Sequence, residues 1–101
     1  MKRALFVLAA SVTLATPVLA DQALATAKNC LACHAADKKV VGPSYKDVAA
    51  KYASDKDAAS KLAKKIREGG VGAWGQVPMP ANPQVSEAEA RTLAAWVLAT
   101  K

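Results

Sequence analysis

The sequence predicts an all-α domain of about four helices. Four separate stretches place apolar residues at the three- and four-residue spacing of an amphipathic helix. No stretch alternates apolar and polar residues in the regular way that a half-buried strand requires. The chain has 101 residues and contains no internal repeat, so we expect one domain.

The first twenty residues are predicted to be a cleaved secretory signal peptide. Two basic residues follow Met1, an apolar run extends from Ala4 to Ala15, and Val18–Ala20 offers the small-residue pattern of a cleavage site. The run is shorter than the about 20 residues that span a bilayer, although a buried helix or a membrane anchor is the alternative. We therefore expect cleavage after Ala20, a mature domain over residues 21–101, and export to the bacterial periplasm without membrane insertion.

The first two helices of the mature domain are predicted on either side of a short turn. The first runs from about Gln22 to Cys33 and aligns three apolar residues on one face: Leu24, Ala27 and Leu31. The turn covers residues 40–43. The second helix begins near Ser44, just after Pro43, and aligns four residues: Tyr45, Val48, Ala49 and Tyr52.

The last two helices are separated by a long proline-rich loop. The third is predicted from about Asp57 to Glu68, with an apolar face of Ala59, Leu62, Ala63 and Ile66, and Gly69-Gly70 ends it. The loop covers 69–85 and contains three prolines, and loops of this length are usually functional. The fourth helix opens with Ser86 and Glu89 as a capping box and continues with a clear stripe: Ala90, Leu93, Ala94, Val97 and Leu98.

The composition of the mature domain indicates a large apolar cofactor and an acidic partner. The domain is rich in Ala, and its aromatic residues stand at only four positions: 45, 52, 74 and 96. So small a domain is only marginally stable unless something further, such as a cofactor, holds it together.

The net charge is +6, and loss of Lys2 and Arg3 with the leader lowers it by two to +4. This charge favours acidic partner surfaces, whereas the lack of basic runs interleaved with aromatics excludes nucleic acid.

Residues 30–34 form the attachment motif of c-type haem. The sequence Cys30-Leu31-Ala32-Cys33-His34 has the C-x-x-C-H pattern. On a helix, residues three and four apart share a face, so both thiols can reach the two vinyl groups of one haem while His34 sits under the iron. The motif therefore predicts two thioethers from the cysteines and an axial ligand from His34.

Other uses of the cysteine pair fit less well. A zinc site would need four ligands, but the mature chain has two Cys and one His. A thioredoxin-like redox pair would accompany a strand–helix–strand pattern, which is missing. A disulfide remains the open alternative in an oxidising compartment, but it would leave His34 without a role.

Met79 is the predicted second axial ligand of the iron. It is the sole methionine after Met1 leaves with the leader, and the chain has one His. Pro78 and Pro80 flank it and stiffen the backbone. A thioether favours Fe(II), so Met/His ligation raises the reduction potential. With both axial positions filled, the function is outer-sphere electron transfer and not catalysis; a loop methionine that does not ligate is the alternative.

The motifs together resemble the small class I bacterial cytochromes c, of the cytochrome c-551 (also called c8) type. They appear in order along the whole mature chain: CLACH at 30–34, VGPSYKDVAAKY at 41–52, GAWG at 72–75, PMP at 78–80 and LAAWVLATK at 93–101. The resemblance implies a four-helix class I cytochrome c fold around one covalent haem c, with the first and last helices crossing.

The resemblance also implies individual roles. The carbonyl of Pro43 would accept the ring N–H of His34, Trp74 would hydrogen-bond a haem propionate, and Asn82 would steady the methionine loop. Trp96 is expected in the core where its helix meets the first. Such proteins are monomers that shuttle one electron between membrane cytochrome complexes and periplasmic reductases or oxidases.

Three rival functions remain at this stage. The first is a sensor or a peroxidase-like enzyme with an open haem site, in which Met79 does not ligate. The second is a haem-free thiol–disulfide module. The third is a small subunit permanently docked to a larger oxidase.

Six lysines near the attachment motif are expected to form a positive rim that steers acidic partners: Lys28, Lys38, Lys39, Lys46, Lys51 and Lys56.

Overall fold

The computed structural model describes residues 17–101 and contains four α-helices. They are α1 (Pro17–Ala27), α2 (Tyr45–Lys51), α3 (Ala58–Glu68) and α4 (Glu87–Leu98), with a short 3₁₀ turn at Cys30–Ala32 and a hairpin of β1 (Gly70–Gly72) and β2 (Gly75–Met79). The four predicted helices are confirmed. The predicted leader, residues 1–20, lies outside the described residues except for its last four, which belong to α1.

Helix α4 is the centre of the fold, because α1, α2 and α3 all pack against it. Its predicted stripe is confirmed: Ala90, Leu93, Ala94 and Val97 are buried, and Leu98 is half-buried against the same core. Ala25 of α1 is fully buried in the same core as Ala90 and Ala94, and side chains this small let two helices approach closely. The described helices are too short or too polar for any of them to cross a bilayer.

The first helix ends earlier than predicted. It was expected to reach Cys33, but α1 ends at Ala27, and Asn29 takes a left-handed conformation with φ of 64°. Asn is one of the few residues that adopts this conformation readily, so it ends the helix without a glycine. The chain then makes the 3₁₀ turn at Cys30–Ala32. In consequence Ala27 and Leu31, expected on the buried face, are exposed, and Ala25 is the buried residue.

Helices α2 and α3 follow their predicted patterns with two small differences. The Ser44 side chain accepts a hydrogen bond from the Asp47 N–H at 3.0 Å and caps α2, which starts one residue later. In α3, Leu62 and Ala63 are buried as expected, but Ala58 takes the buried position that was assigned to Ala59.

A β-hairpin occupies the start of the segment that was predicted to be an irregular loop. Strands β1 and β2 are antiparallel, with Gly72 opposite Gly75 and Gly70 opposite Met79, and the register shifts between these pairs. Both turn glycines have positive φ, 100° at Gly72 and 109° at Gly75, which a side chain would oppose. The expectation that the domain has no strand is therefore wrong for residues 70–79.

The capping box at the start of α4 is confirmed in both directions. The Glu89 N–H donates to the Ser86 hydroxyl at 3.1 Å, and the Ser86 N–H donates to the Glu89 carboxylate at 3.0 Å. We expect Ser86→Ala to lower the free energy of unfolding by about 1 kcal/mol in a denaturant titration. The control is Ser60→Ala, at an exposed position inside α3, which should cost nothing. Equal effects of the two substitutions would contradict the capping role.

Candidate haem-binding site

One cavity brings together six of the seven residues that the sequence predicts for the site. It has a volume of about 250 Å³ and a mainly apolar lining drawn from all four helices and the hairpin. The predicted residues in its wall are Cys30, Cys33, His34, Pro43, Trp74 and Met79. The seventh, Asn82, does not line it.

The attachment motif reaches the cavity from the 3₁₀ turn and not from the end of a helix. The N–H groups of Cys33 and His34 both donate to the Cys30 carbonyl, at 3.2 and 3.0 Å. These bonds preserve the one-turn spacing, so Cys30, Cys33 and His34 line the same cavity although α1 ends earlier. The two thiols are not joined to each other, and burial raises the pKa of the Cys30 thiol.

The ring of His34 is held on one side by a backbone carbonyl. Its Nδ1 lies 2.7 Å from the Pro43 carbonyl oxygen, which can only accept, so Nδ1 carries the proton. This tautomer leaves the lone pair of Nε2 free for a metal. Gly42 makes room for the ring, since a Cβ at that position would lie 2.6 Å from the ring carbon Cε1.

Tyr45 is a wall residue that was predicted only as part of a helix face. It is buried, stacks on the His34 ring with centroids 5.4 Å apart, and packs edge-to-face with Trp96 with centroids 5.0 Å apart. Burial raises the pKa of its phenol, so the group stays neutral. Its hydroxyl is buried without a hydrogen-bond partner among the described residues. Trp96 is half-buried against the core cluster that includes Ala25 of α1, and its aromatic neighbour is Tyr45 of α2.

Met79 ends β2, and the C-terminus of α3 fixes the chain that follows it. The Asn82 side-chain amide donates to the Ile66 carbonyl at 2.8 Å, and the Asn82 N–H donates to the Arg67 carbonyl at 3.1 Å. These bonds satisfy carbonyls that the end of a helix leaves unpaired. Asn82 therefore bonds the end of α3 from outside the cavity, and its role in steadying the methionine loop stays a prediction.

Gly69 permits the close approach of this segment to α3. Its φ is 71°, and a Cβ there would overlap the Met79 carbonyl oxygen and the backbone of residues 80 and 81. No flexible side chain can move aside to relieve that overlap. Sequence reasoning identified Gly69 as a helix stop but not as a packing requirement for Met79.

We expect Gly69→Ala to destabilise the holoprotein by about 1–3 kcal/mol, because its φ of 71° and ψ of −167° form a backbone conformation that almost only glycine adopts. Denaturant unfolding followed by circular dichroism measures this change. Ala81→Gly is the matched control, since it alters an exposed neighbour in the same segment without introducing a Cβ. A neutral Gly69→Ala would contradict the packing role.

Trp74 lies at the tip of the hairpin, with its side chain in the cavity wall and 42% exposed. The ammonium of Lys51 lies 4.4 Å from the centre of its ring. Its predicted contact with a haem propionate stays a prediction.

The donor set fits a haem held by two thioethers and two axial ligands. Two cysteines, one histidine with a free Nε2 and one methionine lie in the wall of one mainly apolar cavity. Among residues 17–101 no three or more His, Cys, Asp or Glu side chains are arranged so that they could hold a metal ion by themselves, which argues against the zinc alternative.

Comparison with known proteins also identifies the chain as one that binds haem. The family model for cytochrome c matches residues 20–101. The cytochrome c-551 of Azotobacter vinelandii is 62% identical over 74 residues, which are 73% of this chain and 89% of that one. The cytochrome c-552 of Hydrogenobacter thermophilus is 54% identical over 97 residues, 95% and 97% of the two chains.

The fold agrees with that of a solved relative. The crystal structure of wild-type Nitrosomonas europaea cytochrome c552 superimposes with a TM-score of 0.78 and 55% sequence identity. The match covers 79% of this chain and 99% of the other. The resemblance to the small class I cytochromes and their fold are thereby confirmed. A chain of this kind binds one covalent haem c and carries electrons, and it is not an enzyme. The attachment motif, the four helices around one apolar cavity and these matches show that the chain belongs to the cytochrome c family.

Proposed function

We propose that the chain is a periplasmic one-electron carrier whose haem is bound through Cys30 and Cys33, with His34 and Met79 as axial ligands. One observation carries the proposal: Cys30, Cys33, His34 and Met79 all line the same cavity. The Pro43 carbonyl supports it, because it orients the imidazole so that Nε2 is the free nitrogen.

The residues of the chain tune and protect this site. The haem, when bound, supplies an iron that alternates between Fe(II) and Fe(III). The soft, neutral sulfur of Met79 favours Fe(II), and the apolar wall disfavours added charge, so both raise the reduction potential. Tyr45 and Pro43 limit rotation of the His34 ring from its face and its edge. A rigid ligand set needs little rearrangement when the electron arrives.

Export to the periplasm is supported by the leader pattern over residues 1–20. The positive start, the apolar run and Val18–Ala20 form the three parts of a signal peptide. Cleavage after Ala20 would leave a domain that begins at Asp21, close to the start of the family match at residue 20.

The partners that we propose are redox proteins with acidic docking surfaces, such as membrane cytochrome complexes and periplasmic reductases or oxidases. Two of the six lysines assigned to the rim are engaged within the chain. Lys28 donates to the Gln84 carbonyl at 3.0 Å and pairs with Glu89 at 3.4 Å, and Lys51 contacts the hairpin. The other four are exposed and carry the docking role: Lys38, Lys39, Lys46 and Lys56.

We expect electron transfer with an acidic partner to slow by roughly tenfold as ionic strength rises from low to physiological values, because salt screens charge steering. Stopped-flow absorbance of the haem measures the second-order rate. Reduction by a small neutral reductant is the control and should stay constant. A partner rate that is flat or rises with salt would refute the positive rim.

An optical redox titration of the purified holoprotein tests the proposed function. We expect a single one-electron transition and the absorption signature of a methionine-ligated ferric haem. Fast uptake of cyanide by the ferric form, or of carbon monoxide by the ferrous form, would instead support the rival open-site haem protein.

A further inference from the structure

One lysine ties the tip of the β1–β2 hairpin to α2. Nζ of Lys51, the last residue of α2, lies 2.6 Å from the carbonyl oxygen of Ala73 and 4.4 Å from the ring centre of Trp74. Ala73 and Trp74 form the two-residue connection between the strands. An ammonium group has three N–H donors, so it can bond the carbonyl and still face the ring.

The tether starts from a rigid support. Tyr45, Val48 and Ala49 of α2 are buried, and Ser44 caps the first turn of the helix. Movement of Lys51 therefore requires its own side chain to move, because the helix beneath it is anchored in the core.

The other end of the hairpin is tied to α3. Gly69 allows the backbone at Met79 to approach the helix, and Asn82 bonds the carbonyls of Ile66 and Arg67. A hairpin of two strands is only marginally stable by itself, so its tethers decide where it lies. Lys51 provides the tether at the tip of the hairpin, whereas Gly69 and Asn82 act at its base.

We propose that Lys51 is a positioning residue of the haem site. Its ammonium holds the Ala73–Trp74 turn against α2, and thereby keeps Trp74 and Met79 in the cavity wall. The inference rests on the proposed function, in which Met79 is an axial ligand. A hydrogen bond from a charged donor is stronger than a neutral one, and the ring contact adds to it.

Amide hydrogen exchange of the reduced holoprotein, followed by NMR, tests the tether directly. We expect Lys51→Met to speed exchange of the β1 and β2 amides by roughly tenfold, the factor that corresponds to the loss of one charge-assisted hydrogen bond. Lys51→Arg should restore slow exchange, since a guanidinium can bond the carbonyl and cover the ring. Lys46→Met, which removes an exposed charge from the same helix, is the matched control and should leave the hairpin unchanged.

Exchange of the α4 amides separates a local effect from general destabilisation. We expect these amides to keep their wild-type rates in all three variants. The proposal would be overturned if Lys51→Met left exchange of the hairpin amides unchanged. It would also be overturned if exchange of the α4 amides rose as much as that of the hairpin amides.

Cyanide binding to the ferric holoprotein tests the link to Met79, because cyanide must displace that ligand. We expect Lys51→Met to bind cyanide several-fold faster than the wild type, and Lys51→Arg and Lys46→Met to match the wild type. If Lys51→Met speeds exchange of the hairpin amides but does not speed cyanide binding, Lys51 does not position Met79. The absorption spectrum of the wild-type protein separates failure of the proposed function from failure of the Lys51 tether. If that spectrum shows no methionine ligation, the proposed function is wrong, whatever the hairpin exchange shows.

Discussion

Replacing Met79 with Ala should lower the reduction potential of the holoprotein by on the order of 0.2 V, part of the roughly 0.8 V range that axial ligands command. The substitution removes the neutral sulfur that favours Fe(II) and opens the position to water or an added ligand. Voltammetry measures the potential, and cyanide titration of the ferric form measures the open position.

The matched control for this substitution is Val77→Ala. Val77 lies two residues earlier in β2, lines the same cavity and is 63% exposed. We expect its potential to stay near the wild-type value and its ferric form to bind cyanide slowly. A Met79→Ala protein with the wild-type potential would show that the methionine is not a ligand.

Removing both attachment cysteines should leave a largely unfolded chain. In Cys30→Ala/Cys33→Ala the haem is no longer covalently bound, and a domain of this size buries too little apolar surface by itself to be stable. Four helices around one cavity then lose the group that would join their inner faces. Far-ultraviolet circular dichroism should show the loss of most of the helical signal.

The single variant Cys33→Ala is the control for the double one. One thioether remains and keeps the haem on the chain, so we expect most of the helical signal to persist. Native helicity in the haem-free double variant would contradict a fold that depends on its cofactor.

Helix α4 could be predicted closely because its local signals agree. The capping box and the apolar stripe indicate the same start and the same buried face, and the structure contains both. The end of α1 was missed, since the run around it is rich in Ala and contains no glycine or proline to stop a helix. The one signal was Asn29, whose tolerance of a left-handed conformation becomes decisive only in context.

The hairpin was missed because its strands carry no alternating pattern. Strand β1 is Gly-Val-Gly, and β2 contains Pro78, which lacks the N–H that a central strand needs. A sheet of two strands consists of edges only, so that proline is tolerated. The two glycines around Ala73-Trp74 were the signal of a two-residue turn.

The residues of the site likewise fall into those that a local sequence pattern identifies and those that only the folded chain brings into contact. Cys30, Cys33 and His34 are readable because their chemistry depends on spacing within five residues. Met79 could be identified only by elimination and by resemblance. Side-chain contacts between elements could not be predicted from local patterns. The stacking of Tyr45 on His34 and the hydrogen bond from Lys51 to the hairpin form only when helices and strands come together.

Intact mass spectrometry of protein matured in a host competent for cytochrome c assembly tests the central claim most directly. We expect one species with the mass of residues 21–101 plus a single haem, retained under denaturing conditions because thioethers hold it. Bare polypeptide mass in that preparation would contradict the covalent haem, and with it the electron-carrier function built on Cys30, Cys33, His34 and Met79.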